Sequence, residues 1–259
     1  TLFRSQVKEK FSTEDFTPEI HYVNSPQMDI SSYLIRKYIS YDISTLGMTK
    51  PAVSNYIFKT RLYRSSEYDE FIMKIDSSLS PHRIAHVKNV AKTAVRLARI
   101  YGADMDKAYV AGLLHDCAKY LDDEQMLKAA EEHNIELEEV ERKSIQLVHA
   151  KVGAVFAKEQ YGIEDEDILN AIRYHTTGRP QMSLLEKIIY VSDYIEPGRT
   201  RQKDNIEAIK ALELARAYAS VDLDYALKFI LKETYEYLIN ITDYAISDMT
   251  RKAYEYYTR

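Results

Sequence analysis

The chain carries an ordered set of imidazole and carboxylate side chains that suit a metal ion. The set consists of His86, the adjacent pair His115 and Asp116, His149, His175 and Asp193. These are the ligand types that zinc, iron and manganese prefer in proteins. Asp193 is the most informative member, because an acid inside the otherwise apolar segment Ile188–Ile195 needs a partner or a metal. Taken alone, a histidine such as His149 or His86 is more often a plain helical residue. The prediction of a metal site therefore rests on the order of the whole set.

Cationic side chains accompany this set along the chain. Arg83 precedes His86 by about one helical turn, and Lys119 follows Asp116 by three residues. We therefore expect Lys119 on the same helix face as His115 and Asp116. A third cation, Arg199, follows Asp193 in a loop that contains Pro197 and Gly198. Groups of this kind can bind the non-bridging oxygens of a phosphate, although Lys119 also suits a helix C-terminus and Arg83 an ordinary surface position.

Hydroxyl groups lie beside two members of the set. Thr176 and Thr177 follow His175 and either donate to phosphate or cap the end of a helix. Tyr194 follows Asp193 and offers a ring for stacking on a base, but the chain has 22 tyrosines and a structural role is common. Asp193 itself could orient an attacking water.

The elements that must position these residues are helical. The chain of 259 residues has only 7 glycines and 6 prolines, with 46% hydrophobic and 29% charged residues, which disfavours β-architectures and disordered chains. Apolar residues recur with helical spacing from residue 67 onward. We predict an all-α fold, a helical bundle over residues 67–259, preceded by a small and mainly helical appendage over residues 1–66.

Periodicity and stop signals define the individual elements. A short strand is predicted at His21–Val23. The predicted helices are Ser31–Ile39, Pro51–Leu62, Arg83–Tyr101, Asp106–Lys119, Asp123–His133, Lys151–Tyr161, Asp165–His175, Leu184–Ile195, Asn205–Ala219 and a long final helix over about Leu223–Tyr257.

Charge, hydropathy and cysteine content indicate which partners and which cellular compartment to expect. The formal net charge of −5 argues against nucleic-acid binding. The longest segment without Asp, Glu, Lys or Arg, Ile20–Met28, is polar and far shorter than the ~20 apolar residues of a membrane span. The single Cys117 permits no internal disulfide, so we expect a cytoplasmic protein. The Tyr-rich final segment suits either core packing or a homodimer surface.

The motifs around the histidines and aspartates resemble the HD superfamily of metal-dependent phosphohydrolases, in which a lone His, a His-Asp pair, two further His and a distal Asp occur in this order. The blocks "HRIAHVKNVAKTAVRLARIYG", "AGLLHDCAK", "HAKVGAVFA" and "AIRYHTTGRPQMSLLEKIIYVSDYIEPGR" are similar to those of the bacterial symmetrical bis(5'-nucleosyl)-tetraphosphatases. This resemblance spans residues ~70–245.

The resemblance implies an activity, the cleavage of diadenosine tetraphosphate into two ADP. It implies iron as the cofactor, mononuclear or dinuclear, with manganese or another divalent transition metal as the alternative. The implied ligands are His86, His115, Asp116 and Asp193, whereas His149 and His175 hold either a second ion or substrate phosphates. Asp116, Lys119 and Asp193 are the expected catalytic residues, and substrate is expected at Arg83, Lys119, His149, His175, Thr176, Tyr194 and Arg199.

The segment 30–63 is similar to the C-terminal end of the nicotinate-nucleotide adenylyltransferases. Their "ISSTxIR" motif is matched at Ile30, Ser31, Ser32, Ile35 and Arg36, and their closing helix at Val53, Tyr56, Ile57, Leu62 and Tyr63. Tyr33 stands where that family has threonine. The glycine- and histidine-bearing nucleotide-binding start of that family is absent from this chain, which begins at Thr1 rather than Met. We therefore expect residues 1–66 to be a remnant that cannot transfer an adenylyl group alone.

Two alternatives keep part of this interpretation. One retains the metal centre but acts on another nucleotide, as a nucleotidase or phosphodiesterase. The other is a nucleotide-sensing domain without catalysis, which the presence of all six ligand residues disfavours.

Overall fold

The structure, a computed structural model, describes residues 30–199, 206–241 and 246–259. Helices dominate these ranges and no β-strand occurs within them, which confirms the all-α prediction. The helices are α1 (Ser32–Ser40), α2 (Pro51–Thr60), α3 (Ser66–Ser78), α4 (Pro81–Tyr101), α5 (Met105–Leu114), α6 (Asp123–Glu132), α7 (Glu139–Lys143), a 3-10 turn (Ile145–Leu147), α8 (His149–Tyr161), α9 (Glu166–Arg173), α10 (Leu184–Ile195), α11 (Ile206–Ala219), α12 (Leu223–Ile241) and α13 (Asp248–Thr258).

Local sequence explains where the central helix α4 begins and ends. The Ser80 side chain accepts a hydrogen bond from the backbone N–H of Arg83, and Pro81 occupies the first helical position, where its missing N–H costs nothing. Gly102 ends the helix in the left-handed conformation at φ 74°. The helix is therefore fixed at both ends, and His86 lies in its second turn.

The core lies where α4, α5, α9 and α10 meet. Val87, Leu113, Ile172 and Ile188 are fully buried there. The helices α4 and α5 approach at Gly112, where an added Cβ would lie 2.7 Å from the Cα of Ala91. Only glycine permits this backbone contact. The contact brings α4, which carries His86, close to α5, which directly precedes His115 and Asp116.

Part of the N-terminal segment belongs to the same core. Leu34, Tyr38 and Tyr41 are buried, the last of them completely. The Tyr41 and Tyr68 hydroxyls both donate to Oδ1 of Asp106 at 2.7 Å. Tyr41, which directly follows α1, and Tyr68 of α3 therefore both contact the start of α5 through one carboxylate.

Two predicted helices were wrong in extent. The predicted helix Asp106–Lys119 ends at Leu114, because the chain continues in tight turns in which Cys117 N–H donates to Leu114 O at 3.0 Å and Lys119 N–H to Asp116 O at 2.9 Å. Lys119 therefore does not share an α-helical face with His115 and Asp116.

The predicted final helix consists of two helices, α12 and α13. Their rings Tyr235 and Tyr254 stack at 4.0 Å, so the chain has reversed between them. The helices α3 and α7 were not predicted, and the strand expected at His21–Val23 lies outside the described residues. No described helix is long and apolar enough to span a bilayer.

Candidate metal centre

Six predicted ligands converge from five parts of the fold. His86 comes from α4, His115 and Asp116 directly follow α5, His149 begins α8, His175 follows α9, and Asp193 lies in the last turn of α10. The Nε2 atoms of His86 and His115 are 3.3 Å apart, and those of His149 and His175 are 3.1 Å apart. All four histidines are buried. The structure thus brings together residues that are spread over more than a hundred positions.

Asp116 lies between the two histidine pairs. Its Oδ2 atom is 3.6 Å from Nε2 of His115 and 3.7 Å from Nε2 of His86. Its Oδ1 atom is 3.1 Å from Nε2 of His149 and 3.7 Å from Nε2 of His175. One carboxylate therefore presents a separate oxygen to each pair.

Asp193 completes one of these two groups. Its Oδ1 atom is 3.1 Å from Nε2 of His86 and 3.8 Å from Nε2 of His115. Its side chain is 21% exposed, against 4% for Asp116, so this side of the centre is open to solvent. A ligand can reach the centre from the Asp193 side.

Each imidazole is oriented through its other nitrogen. Nδ1–H of His115 donates to Gly112 O and that of His175 to Ile172 O, both at 2.7 Å. The same atom of His149 donates to Gln146 O. A carbonyl oxygen can only accept, so these Nδ1 atoms carry the proton and each Nε2 lone pair points inward. Inward lone pairs at this spacing, beside two carboxylates, fit a metal cation.

Buried charge shifts the pKa values within the cluster. Burial alone would lower the pKa of His86, but hydrogen bonds to Asp193 and Glu196 outweigh it and raise the pKa to about 9. Burial lowers the pKa of His115 to about 4. Burial would raise the pKa of Asp116, yet the surrounding histidines hold it well below its ordinary value. Asp116 is therefore ionised and His115 is neutral, which are the forms that bind a metal, whereas His86 must release a proton when a metal binds.

Glu196 is a further site residue that was not predicted from the sequence. Its Oε1 atom accepts from Nδ1 of His86 at 3.2 Å, and its Oε2 atom accepts from Asn89 at 3.0 Å and from Gly198 N–H at 2.5 Å. It is only 2% exposed. The available signal was an acid placed directly between the end of a buried helix and the Pro-Gly pair at residues 197 and 198.

Two of the three predicted cations contact the cluster. Nη1 of Arg83 donates to Oδ2 of Asp116 at 2.7 Å, and Nη2 of Arg199 donates to Oδ1 of Asp193 at 2.6 Å. Lys119 instead donates to Oε1 of Gln146 at 3.1 Å. Burial lowers the pKa of Lys119, and the charges of Asp116, Arg83 and Asp193 also act on it. Lys119 therefore lies at the edge of the centre rather than in it.

The predicted hydroxyl groups have different surroundings. The Thr176 Oγ1 atom is buried and has no hydrogen-bond partner among the described residues. The Thr177 hydroxyl donates to Gly178 O at 2.9 Å and is thereby occupied. Tyr194 lines a cavity together with Thr176 and Asp193. Of the two threonines, Thr176 is the one with an unused donor.

The helical fold and the buried histidine-aspartate cluster define an HD-domain protein, and the HD domain family model matches residues 83–198. A symmetrical bis(5'-nucleosyl)-tetraphosphatase of Halalkalibacterium halodurans is 42% identical over 161 residues, which cover 62% of this chain and 81% of that protein. The chain belongs to the family of these symmetrical tetraphosphatases.

A crystal structure and a further protein are also similar to this chain. A crystal structure described as a predicted HD superfamily hydrolase involved in NAD metabolism, from Clostridium acetobutylicum, aligns with a TM-score of 0.67 and 40% identity, covering 73% of this chain and 96% of that one. A Mycoplasma genitalium protein named "Probable nicotinate-nucleotide adenylyltransferase/Ap4A hydrolase" is 32% identical over 69% of this chain and 49% of its own length.

Proposed function

We propose that this protein hydrolyses the central anhydride bond of diadenosine tetraphosphate and releases two ADP. The observation that carries the proposal is the position of Asp116, whose two oxygens face two separate pairs of inward-pointing imidazoles. That arrangement suits two cations that share one carboxylate. The choice of diadenosine tetraphosphate as the substrate rests on the family to which the chain belongs.

The ligand roles follow from the two groups. His86, His115 and Asp193 would hold one ion, His149 and His175 the other, and Asp116 would bridge them. Nitrogen and carboxylate ligands suit iron, which we propose as the native metal, with manganese as the alternative. A divalent transition ion bound there supplies Lewis-acid chemistry, since it neutralises phosphate charge and lowers the pKa of water to about 7.

The protein's own residues position the substrate and the water. Arg83 and Arg199 lie against the two carboxylates and can turn toward the non-bridging oxygens of the attacked phosphate, where negative charge grows. Lys119, at the edge of the centre, is proposed to bind the leaving ADP. Thr176 has a free hydroxyl to donate to a phosphate oxygen. Asp193, on the open side, is proposed to orient the attacking water.

Incubation with diadenosine tetraphosphate, followed by separation of the products, tests this function. ADP as the only product supports the proposal. A mixture of ATP and AMP contradicts symmetrical cleavage, and the absence of turnover contradicts the substrate. Asp116→Asn serves as the inactive control, and metal analysis of the same preparation tests for iron.

We also propose that residues 1–66 are related to the C-terminal region of nicotinate-nucleotide adenylyltransferases, and that residues 67–259 form the hydrolase domain. The Ser31 side chain caps α1 within the segment that resembles the adenylyltransferase motif. We place the protein in the cytoplasm, where a buried free thiol such as Cys117 stays reduced.

A further inference from the structure

A cavity of about 340 Å³ adjoins the metal centre on its open side. His175 and Asp193 form part of its lining, so the cavity begins at the proposed reaction centre. Most of the remaining lining comes from α10, α11 and α12. A volume of this size is in the range of small-molecule sites, which begin near 300 Å³.

One face of α12 supplies the wall of this cavity. Ile230, Glu233, Thr234 and Tyr237 all line it, at spacings of three, four and seven residues, which place side chains on one side of a helix. Residues of α10 line it in the same way, and Tyr190 shares a hydrogen bond with Thr234. Two walls of the cavity are therefore regular helix faces.

The third wall has small side chains. Ala208 and Ala211, one turn apart on α11, line the cavity. Together with Ile230 and the tyrosine rings they give it apolar sides of the kind that contact a flat base. Larger residues on this face of α11 would fill the space, so the alanines keep it open.

Glu233 is the unusual group in this cavity. It is half-buried, and it has neither a hydrogen-bond nor an ion-pair partner within the part of the chain that the structure describes. A carboxylate repels phosphate groups but accepts hydrogen bonds from N–H and O–H donors. A half-buried carboxylate without a protein donor leaves its oxygens available to a ligand that carries one.

We propose that this cavity binds the nucleoside of the substrate half whose phosphate lies at the metal centre, with Glu233 accepting from a nucleoside donor. This inference rests on the proposed function. The donor is either the ribose hydroxyl pair or the amino group of the base. The apolar wall of α11 covers one face of the base, and the diphosphate extends toward Thr176, Arg199 and Asp193.

Titration calorimetry with two ligands tests the assignment on the purified full chain. ADP carries a nucleoside and inorganic pyrophosphate does not. We expect Glu233→Ala to weaken ADP binding at least fivefold and to change pyrophosphate binding less than twofold. Ala211→Leu, which fills the cavity from α11, should have the same selective effect. Glu236→Ala, an exposed acid on the same helix, is the matched control and should change neither.

Several outcomes overturn the assignment. They are an equal loss for ADP and pyrophosphate, no loss for ADP in Glu233→Ala, or wild-type protein that binds ADP no more tightly than pyrophosphate. Titration of 2′,3′-dideoxy-ADP and inosine diphosphate distinguishes the two donors, and binding of both as tight as that of ADP contradicts a contact with Glu233. Selective ADP binding without turnover of diadenosine tetraphosphate would overturn the proposed function but not the nucleoside site.

Discussion

Nδ1 of His86 and Oε1 of Glu196 lie 3.2 Å apart, although the two residues are separated by 110 positions in the chain. The carboxylate also accepts from Asn89 and from the backbone of Gly198, so its position is fixed by three donors. A carboxylate behind a metal-ligating histidine fixes the ring orientation and increases the basicity of the ligand. Glu196 is therefore a positioning residue for the proposed centre.

We expect Glu196→Gln to lower metal occupancy and kcat/KM by about 10- to 100-fold, the usual cost of losing such a partner. The amide preserves the shape of the side chain but loses its charge. Metal analysis and steady-state kinetics measure the effect, with Glu213→Gln, an exposed acid on α11, as the control. Full metal content and activity in Glu196→Gln would show that the charge has no positioning role.

Asp116→Asn tests the shared carboxylate. An amide presents one oxygen and one NH₂ group, so one histidine pair must face a donor instead of an acceptor. We expect kcat/KM to fall by at least about a thousandfold, equivalent to about 4 kcal/mol, while the far-ultraviolet circular dichroism stays unchanged. Metal content should fall from two ions per chain to one or none. A variant that keeps two ions and wild-type activity would refute the bridging role.

Arg83→Ala tests the cation nearest the shared carboxylate. Arg83 donates to Asp116 at 2.7 Å and is 35% exposed, so it can reach a bound phosphate. We expect kcat/KM to fall by about 10- to 100-fold, or roughly 1.4–3 kcal/mol, with metal content retained. Arg96→Ala, an exposed position on the same helix, should behave as wild type. An equal loss of kcat/KM in both variants would show that Arg83 does not act on the substrate.

Two helical glycines give a matched pair of stability variants. A Cβ at Gly112 would lie 2.7 Å from the Cα of Ala91, whereas a Cβ at Gly153 would have no heavy atom nearer than 3.5 Å. We expect Gly112→Ala to destabilise the fold by roughly 1–3 kcal/mol and to reduce metal binding. Gly153→Ala should be neutral or stabilising by up to about 1 kcal/mol. Thermal unfolding measures both, and a stable Gly112→Ala would contradict the close helix contact.

Asp106 gives a prediction about pH. Burial alone would raise its pKa, but hydrogen bonds from Lys37, Tyr41 and Tyr68 outweigh it, so the pKa is lower in the folded state than in the unfolded chain. A lowered carboxyl pKa stabilises the fold above the unfolded value near 4, and this contribution is lost as the pH falls through the folded value.

At pH 5–7 the wild type should therefore have a higher melting temperature than Asp106→Asn, because its free energy of unfolding should be larger by about 1–2 kcal/mol. This difference should shrink below about pH 4. Melting curves over pH 3–7 measure it. A difference that grows as the pH falls would reverse the assigned sign, and Asp76→Asn, in an exposed ion pair, is the control.

The sequence predicted the helices that carry the ligands because their apolar periodicity and end signals are local. His86, for example, lies in a helix bounded by Pro81 and Gly102, and that boundary is visible in the sequence. The turns at residues 115–120 and the role of Glu196 were not visible, because both depend on contacts with other helices. The same is true of Glu233, whose isolation is a property of the cavity and not of its neighbours in the chain.

The orientation of the imidazole rings has a consequence for how the centre is assembled. His115, His149 and His175 each donate to the carbonyl three residues earlier. The orientation of each of these rings is therefore determined by the turn of backbone directly before it. His86 is oriented by Glu196, which lies beyond the other ligands in the chain. Three rings can thus be aligned as soon as their local turns form, whereas the fourth requires the docking of α10 on α4.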